Sequence, residues 1–102
     1  MPFTGTYKNW DIRYFRDPLF NEDVRVEIGE QASVGEFRRK IREADALLID
    51  VPEYNFSIAG VLKNAIDWGS RPQDTSPINN KPFAMMSAGG GLAGARTQYH
   101  MR

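Results

Sequence analysis

An almost unbroken apolar run, residues 46–51 (Ala-Leu-Leu-Ile-Asp-Val), ends at Pro52 and limits the folds open to this chain. A strand that is apolar at nearly every position is typical of a parallel strand covered on both faces. Proline ends such a strand because it cannot donate to the hydrogen-bond ladder. Parallel strands also need long crossover connections, most often helices. The run therefore predicts an α/β fold.

The residues before this strand have the pattern of an amphipathic helix. Ser33 and Glu36 have the spacing of a capping box, so we expect a helix to begin at Ser33. The apolar stripe of this helix is Val34, Phe37, Ile41 and Ala44. Its charged face is Arg38, Arg39, Arg42 and Glu43. This amphipathic pattern predicts that the helix lies on a sheet.

A second helix and a second strand follow. The apolar residues of this helix are Ile58, Val61, Leu62, Ala65 and Ile66. Three polar side chains should point outward from it: Lys63, Asn64 and Asp67. Residues 83–87 predict another buried strand, and residues 93–102 start a further helix. Strands alternating with helices are typical of α/β domains.

The remaining segments set the expected domain boundaries. Residues 1–10 lack periodicity and predict an irregular arm, whereas residues 11–15 alternate as a short strand does. Loops are predicted at 18–31 and 72–80. A chain of 102 residues has room for one domain, which we expect to span residues 11–102.

Composition excludes several classes of function. The charges of 13 basic and 13 acidic residues sum to zero. A chain without net positive charge is disfavoured as a partner of nucleic acid. The chain has no cysteine and a single histidine, His100, so neither a thiolate site nor a histidine metal cluster is expected. No apolar stretch has the length of a membrane span, and no signal peptide is recognisable. We therefore expect a cytoplasmic protein without membrane insertion.

Two unusual loops should meet at one edge of the sheet, because parallel strands place their carboxyl ends together and ligands bind there. Residues 52–57 (Pro-Glu-Tyr-Asn-Phe-Ser) offer aromatic area, an amide and a hydroxyl. Residues 87–91 (Ser-Ala-Gly-Gly-Gly) offer backbone amides that a flat ligand can approach closely. Together the loops predict a site for a planar heterocycle with polar edges. Taken one at a time, these residues also fit purely structural roles: turning the chain, covering the core or beginning the next helix.

Other conspicuous side chains are given no catalytic role. Glu53 has no nucleophile or second acid beside it in the sequence, and Trp68 is expected to pack. His100 has no serine or cysteine partner recognisable by spacing, so packing or an interface is expected. Arg96 fits either phosphate binding or a subunit contact.

Residues 52–68 (PEYNFSIAGVLKNAIDW) closely resemble the PEYN-x-S…LKNAIDW signature of the NADPH-dependent FMN reductase and quinone reductase family. Residues 87–91 and 94–102 (GARTQYHMR) resemble that family's next segment, SAGGG…GAR-x-QYH-x-R. Residues 17–23 (DPLFNED) look like its loop after the second strand. Two long matches in the correct order make the resemblance specific, and it covers residues 11–102.

The resemblance implies a flavodoxin-like, three-layer α/β fold with FMN as the prosthetic group. In that family both loops line the flavin ring. The first loop then contributes Pro52, Glu53, Tyr54, Asn55 and Ser57. The second contributes Ser87, Ala88, Gly89, Gly90 and Gly91. Asn55 is the foremost side-chain contact implied by the resemblance.

The implied activity is hydride transfer from NADPH or NADH to the flavin, and from there to quinones, free flavin, azo dyes or metal oxyanions. The cofactor carries this chemistry, so no acid–base pair is required. The family forms homodimers and homotetramers. Arg96 and Tyr99, in the GAR-x-QYH segment, are the implied interface residues.

The sequence departs from the family at its start, because residues 1–10 do not match the GS-x-R-x-x-S loop that binds the FMN phosphate. The chain also stops as the fourth helix of the family fold begins. We therefore expect an incomplete flavodoxin-like domain that lacks the first strand and the last strand and helix. Its open strand edges suggest an alternative, a catalytically inactive truncated isoform or oligomerisation fragment.

Overall fold

The computed structural model describes residues 16–102, so the arm predicted at 1–10 and the strand predicted at 11–15 lie outside the described residues. The helices are α1 (Glu22–Ile28), α2 (Ala32–Glu43), α3 (Gly60–Gly69) and α4 (Ala95–Met101), and Gln73–Thr75 form a short 3-10 helix. The strands are β1 (Leu47–Asp50), β2 (Glu53–Tyr54), β3 (Ser57–Ile58) and β4 (Phe83–Met86).

The two predicted central strands, β1 and β4, pair in parallel. Leu47 lies beside Phe83 and Asp50 beside Met86, which confirms the predicted α/β class. The prediction that both faces are covered is wrong for the described chain. Leu48 and Asp50 are exposed, and β4 is exposed along most of its length. Of the described helices, α3 and the end of α4 at Met101 pack on the face that carries Ile49 and Met85.

Two apolar clusters form the core, and α3 contributes to both. The cluster between α2 and α3 consists of Val34, Ala65 and Trp68. The cluster between α3 and the sheet consists of Val51, Ala59 and Leu62, with Ile49, Met85 and Met101 packed against it. α3 is thus covered on two sides, as its dense apolar pattern suggests.

The N-terminus of α2 differs from the predicted capping box. α2 begins before Ser33, and the Ser33 hydroxyl donates to the Asp17 carboxylate at 2.6 Å. Ser33 thus lies inside the helix and not at its N-cap, and its hydroxyl acts as the donor of a charge-assisted bond. Arg38, predicted on the charged face, is also buried, and its guanidinium lies 2.7 Å from the Glu30 carboxylate.

The segment 18–31, predicted as loop, contains α1. The Asn21 side chain caps it by accepting from the Asp23 amide at 2.9 Å. Arg25 donates to Glu22 at 2.6 Å, and this hydrogen bond holds the pKa of Glu22 below its ordinary value. No residue of α1 is buried. Its apolar residues, Val24, Val26 and Ile28, stand at alternate positions, a spacing that does not predict a helix.

α3 also holds the segment that precedes α1. Asn64 accepts from the Phe20 amide at 2.7 Å and donates to the Pro18 carbonyl at 3.1 Å, so the prediction that Asn64 points outward is wrong. The Trp68 indole donates to the same Pro18 carbonyl at 2.8 Å. Its ring packs edge-on against Phe20 with centroids 5.2 Å apart. The prediction that Trp68 packs in the core is confirmed.

Candidate functional site

The two predicted ring loops begin side by side. Val51, the residue after β1, donates its amide to the carbonyl of Met86, the last residue of β4, at 2.8 Å. This bond extends the parallel ladder by one step to the point where both strands end. From here the chain continues into a hairpin (residues 53–58) on one side and a glycine loop (residues 87–91) on the other.

The hairpin is a two-residue turn between β2 and β3. Tyr54 pairs with Ser57, and the two residues between them, Asn55 and Phe56, have φ angles of +50° and +66°. Positive φ at both central positions is the geometry of a type I′ turn, which suits asparagine far better than a bulky aromatic residue. Tyr54, Asn55 and Phe56 are all exposed. The turn therefore presents two aromatic rings and an amide to solvent.

Arg96 of α4 contacts the strained part of the turn. Its guanidinium lies over the Phe56 ring, 4.5 Å from the centroid, and 3.9 Å from the Glu53 carboxylate. A guanidinium over an aromatic face is a favourable cation–π arrangement. Within the described chain, Arg96 thus contacts its own hairpin, a role that its sequence position did not indicate.

Thr97 of α4 anchors the beginning of the hairpin. Its amide donates to Glu53 Oε1 at 3.3 Å, and its hydroxyl donates to the Pro52 carbonyl at 3.3 Å. Glu53 thereby accepts from one of the amides at the N-terminus of α4, which a helix leaves without an intrahelical partner. Thr97 is fully buried. Glu53 is therefore a hydrogen-bonded residue at the start of the hairpin.

Ser57 and His100 form a pair that spacing did not reveal. Ser57 Oγ and His100 Nδ1 are 2.8 Å apart, although 43 positions separate them in the chain. No serine partner of His100 was recognisable by sequence spacing, and the fold supplies one in Ser57. Both side chains lie between the hairpin and α4, so this contact also fastens the hairpin to the helix.

The glycine loop is fastened to the same helix. Gln98 donates to Ser87 Oγ at 2.6 Å, and Ser87 donates in turn to the Ala93 carbonyl at 3.0 Å. Gly94, which precedes α4, has φ of +82°, and a Cβ on it would lie 2.6 Å from Ser87 Cβ. Only glycine fits this close approach.

Gly89 and Gly90, within the glycine loop, differ from Gly94 in having no structural need for glycine. Gly89 and Gly90 do not have positive φ, and a Cβ added to either would meet no atom within 4 Å. Neither backbone conformation nor packing in the described chain requires glycine at these positions. Together with Ala88 and Gly91, they are exposed. Their small size leaves open space above the loop, on the side from which a ligand can reach the backbone.

Other classes of site find no support in residues 16–102. No group of three or more metal-ligating side chains comes together within this range. None of the helices between residues 16 and 102 has the length and apolar character that crossing a membrane requires. Tyr99, on α4, is 76% exposed and is available for contact with another molecule.

Residues 6–102 match the model of the NADPH-dependent FMN reductase family, and the chain belongs to this family. The NAD(P)H-dependent FMN reductase PA1204 of Pseudomonas aeruginosa is 56% identical over 86 residues, which are 83% of this chain and 45% of that protein. The NAD(P)H:quinone oxidoreductase of Solanum tuberosum is 52% identical over 85 residues, 83% of this chain and 43% of that protein.

The quinone reductase of Escherichia coli K12 is 46% identical over 86 residues, 83% of this chain and 45% of that protein. The chain thus spans less than half the length of these curated relatives. Among solved structures, the flavoenzyme FerB, an NAD(P)H:(acceptor) oxidoreductase from Paracoccus denitrificans, superposes with a TM-score of 0.73 at 34% identity. The superposition covers 88% of this chain and 48% of FerB. The fold is part of a flavodoxin-like α/β domain.

Proposed function

We propose that this chain forms the ring-binding part of an FMN-dependent NAD(P)H oxidoreductase, which transfers hydride through the flavin to quinones, free flavin or similar acceptors. The observation that carries the proposal is the pair of loops at the adjoining ends of β1 and β4. A carboxyl-terminal edge of a parallel sheet is where α/β proteins bind nucleotides. The relatives from Pseudomonas aeruginosa and Solanum tuberosum, an FMN reductase and a quinone oxidoreductase, agree with the proposal.

The exposed residues of the two loops fit a flavin ring. The hairpin presents Tyr54 and Asn55, an aromatic face beside an amide that can both donate and accept hydrogen bonds. The glycine loop presents the backbone of residues 88–91, with open space above Gly89 and Gly90. FMN, once bound, supplies the hydride chemistry, while the protein orients the ring and tunes it by hydrogen bonds. We assign ring contacts to these residues and a supporting role to Pro52, Glu53, Ser57 and Ser87.

The same proposal includes a homodimer or homotetramer with Tyr99 and Arg96 at the interface. Tyr99 is the stronger candidate because it is a large, exposed aromatic side chain on α4. Arg96 would have to share its guanidinium with Glu53 and Phe56. A cytoplasmic location, with no nucleic acid as partner, stays a prediction from the sequence.

Flavin titration tests the ring site. We expect the chain to bind both FMN and riboflavin, which lacks the phosphate, with similar affinity, because the proposed contacts all involve the ring. Asn55→Ala should raise the Kd for FMN and for riboflavin by roughly 2- to 12-fold, the equivalent of one hydrogen bond of about 0.5–1.5 kcal/mol. Asn79→Ala, an exposed asparagine in the 72–80 segment, is the matched control. Equal affinities in the two variants would exclude Asn55 as a ring contact.

Turnover tests the reaction. Purified chain with added FMN and NADPH should reduce menadione or free FMN faster than the same mixture without protein. An absence of both flavin binding and NADPH oxidation would refute the proposed function for this chain. Static light scattering on the same sample distinguishes the alternative, because an oligomerisation fragment would assemble without binding flavin.

A further inference from the structure

α4 bonds to both ring loops within a single turn. Thr97 bonds to Pro52 and Glu53 at the start of the hairpin, and Gln98, the next residue, bonds to Ser87 in the glycine loop. No backbone ladder joins the hairpin to the glycine loop beyond the end of β1 and β4 within the described residues. Past that point, the helix is the element that spans both.

The bonds on each side are well fixed. Thr97 is fully buried and its hydroxyl bonds to the Pro52 carbonyl, so its side chain has little freedom to adopt another rotamer. Its backbone amide adds a second bond to the hairpin, at Glu53. Ser87 Oγ accepts from Gln98 and donates to Ala93, which fixes its orientation from two sides. The close approach of Gly94 to Ser87 also holds the N-terminus of α4 against the glycine loop.

We propose that Thr97 and Gln98 are positioning residues that set the separation and relative orientation of the two ring loops. The inference rests on the proposed function, since it gives those loops a common ligand. A flat ring held from two sides needs both sides at a fixed distance, and sites that bind tightly are held in place by such supporting bonds. The family resemblance implies a subunit contact for Arg96 and Tyr99 of α4, and the bonds of Thr97 and Gln98 give the same helix a second role in the framework of the binding site.

The absence of cysteine in the chain allows a direct measurement of loop separation. Spin labels on Tyr54→Cys and Ala88→Cys, both exposed positions, report the distance between the hairpin and the glycine loop without any flavin. Gln98→Leu should broaden the distance distribution and remove its narrow component. Gln73→Leu, the same change at an exposed position in the 3-10 helix, should leave it as in the parent.

A double-mutant comparison identifies the bond. Ser87→Ala should broaden the distribution at least as much as Gln98→Leu does, because it also removes the bond to the Ala93 carbonyl. Adding Gln98→Leu to Ser87→Ala should broaden it no further, because the contact between the two side chains is already lost. Melting temperatures are measured in parallel. A change in melting temperature with an unchanged distribution would assign Gln98 a purely structural role and overturn the proposal.

Riboflavin affinity gives a second readout. Gln98→Leu should raise the Kd for riboflavin roughly fivefold, which corresponds to about 1 kcal/mol, although Gln98 is not a proposed ring contact. If the labels show broadening but no flavin binds to the parent chain, the positioning role stands and the proposed function fails. If flavin binds and the Gln98→Leu and Gln73→Leu distributions are identical, only the positioning role fails.

Discussion

Replacing Asn64 by alanine tests whether α3 holds the segment before α1. The change removes the 2.7 Å bond from the Phe20 amide and the 3.1 Å bond to the Pro18 carbonyl. Each is worth about 1 kcal/mol net, and the half-buried Phe20 amide loses its side-chain partner at a further cost of about 1 kcal/mol. Alanine returns roughly 0.6 kcal/mol through its higher helix propensity. We therefore expect a loss of about 2 kcal/mol in the free energy of unfolding.

Thermal and urea denaturation measure this loss. In a domain of this size, about 2 kcal/mol lowers the melting temperature by roughly 8–16 °C. Lys63→Ala is the control, because Lys63 is the preceding residue of the same helix and makes only an exposed ion pair with Asp67. That pair is worth at most about 0.5 kcal/mol. If the two variants melt within two or three degrees (about 0.5 kcal/mol) of each other, the inference that Asn64 holds the segment is refuted.

Two further pairs of substitutions probe backbone strain and buried charge. Gly94→Ala should destabilise the chain by about 1–3 kcal/mol, because Gly94 has a positive φ and lies close to Ser87. Gly60→Ala, at the open start of α3, should stabilise the chain by up to about 1 kcal/mol. The urea midpoints of the two variants should therefore shift in opposite directions, and shifts of the same sign would contradict the argument. Glu30→Ala should lower the free energy of unfolding by about 1–3 kcal/mol, because it leaves the buried Arg38 guanidinium without its carboxylate. Arg38→Met should lower it less, because it removes the buried charge together with an Nε that has no hydrogen-bond partner. A larger loss in Arg38→Met by calorimetry would contradict this argument.

The sequence predicted the elements that have strong apolar periodicity. The runs at 46–51 and 83–87 became paired parallel strands, and the stripes around them became α2 and α3. The missed element, α1, has its apolar residues at alternate positions (Val24, Val26 and Ile28), so the sequence carries no helical periodicity there. The predicted cover on both faces of β1 was wrong because a strand's apolar character indicates a preference for burial but does not supply the neighbour.

The candidate site was predictable in outline and not in detail. The exposed residues of the two loops could be predicted from the sequence, because their residue types suit a flat ligand. The contacts that hold the loops could not, since they join positions far apart in the chain: Ser57 to His100 across 43 positions, and Thr97 to Glu53 across 44. Sequence spacing reveals partners on one helix or strand, but these pairs meet only after the fold has formed.

The position of α3 between two apolar clusters has a consequence for how the chain unfolds. Trp68 belongs to the cluster beneath α2, whereas Leu62, two turns earlier on the same helix, belongs to the cluster beneath the sheet. Loss of either cluster removes the cover from one side of α3 and weakens the other. The hairpin and the glycine loop should therefore unfold together with the cluster around Trp68, on the far side of the helix. The fluorescence of Trp68 should report melting of the site in a single transition.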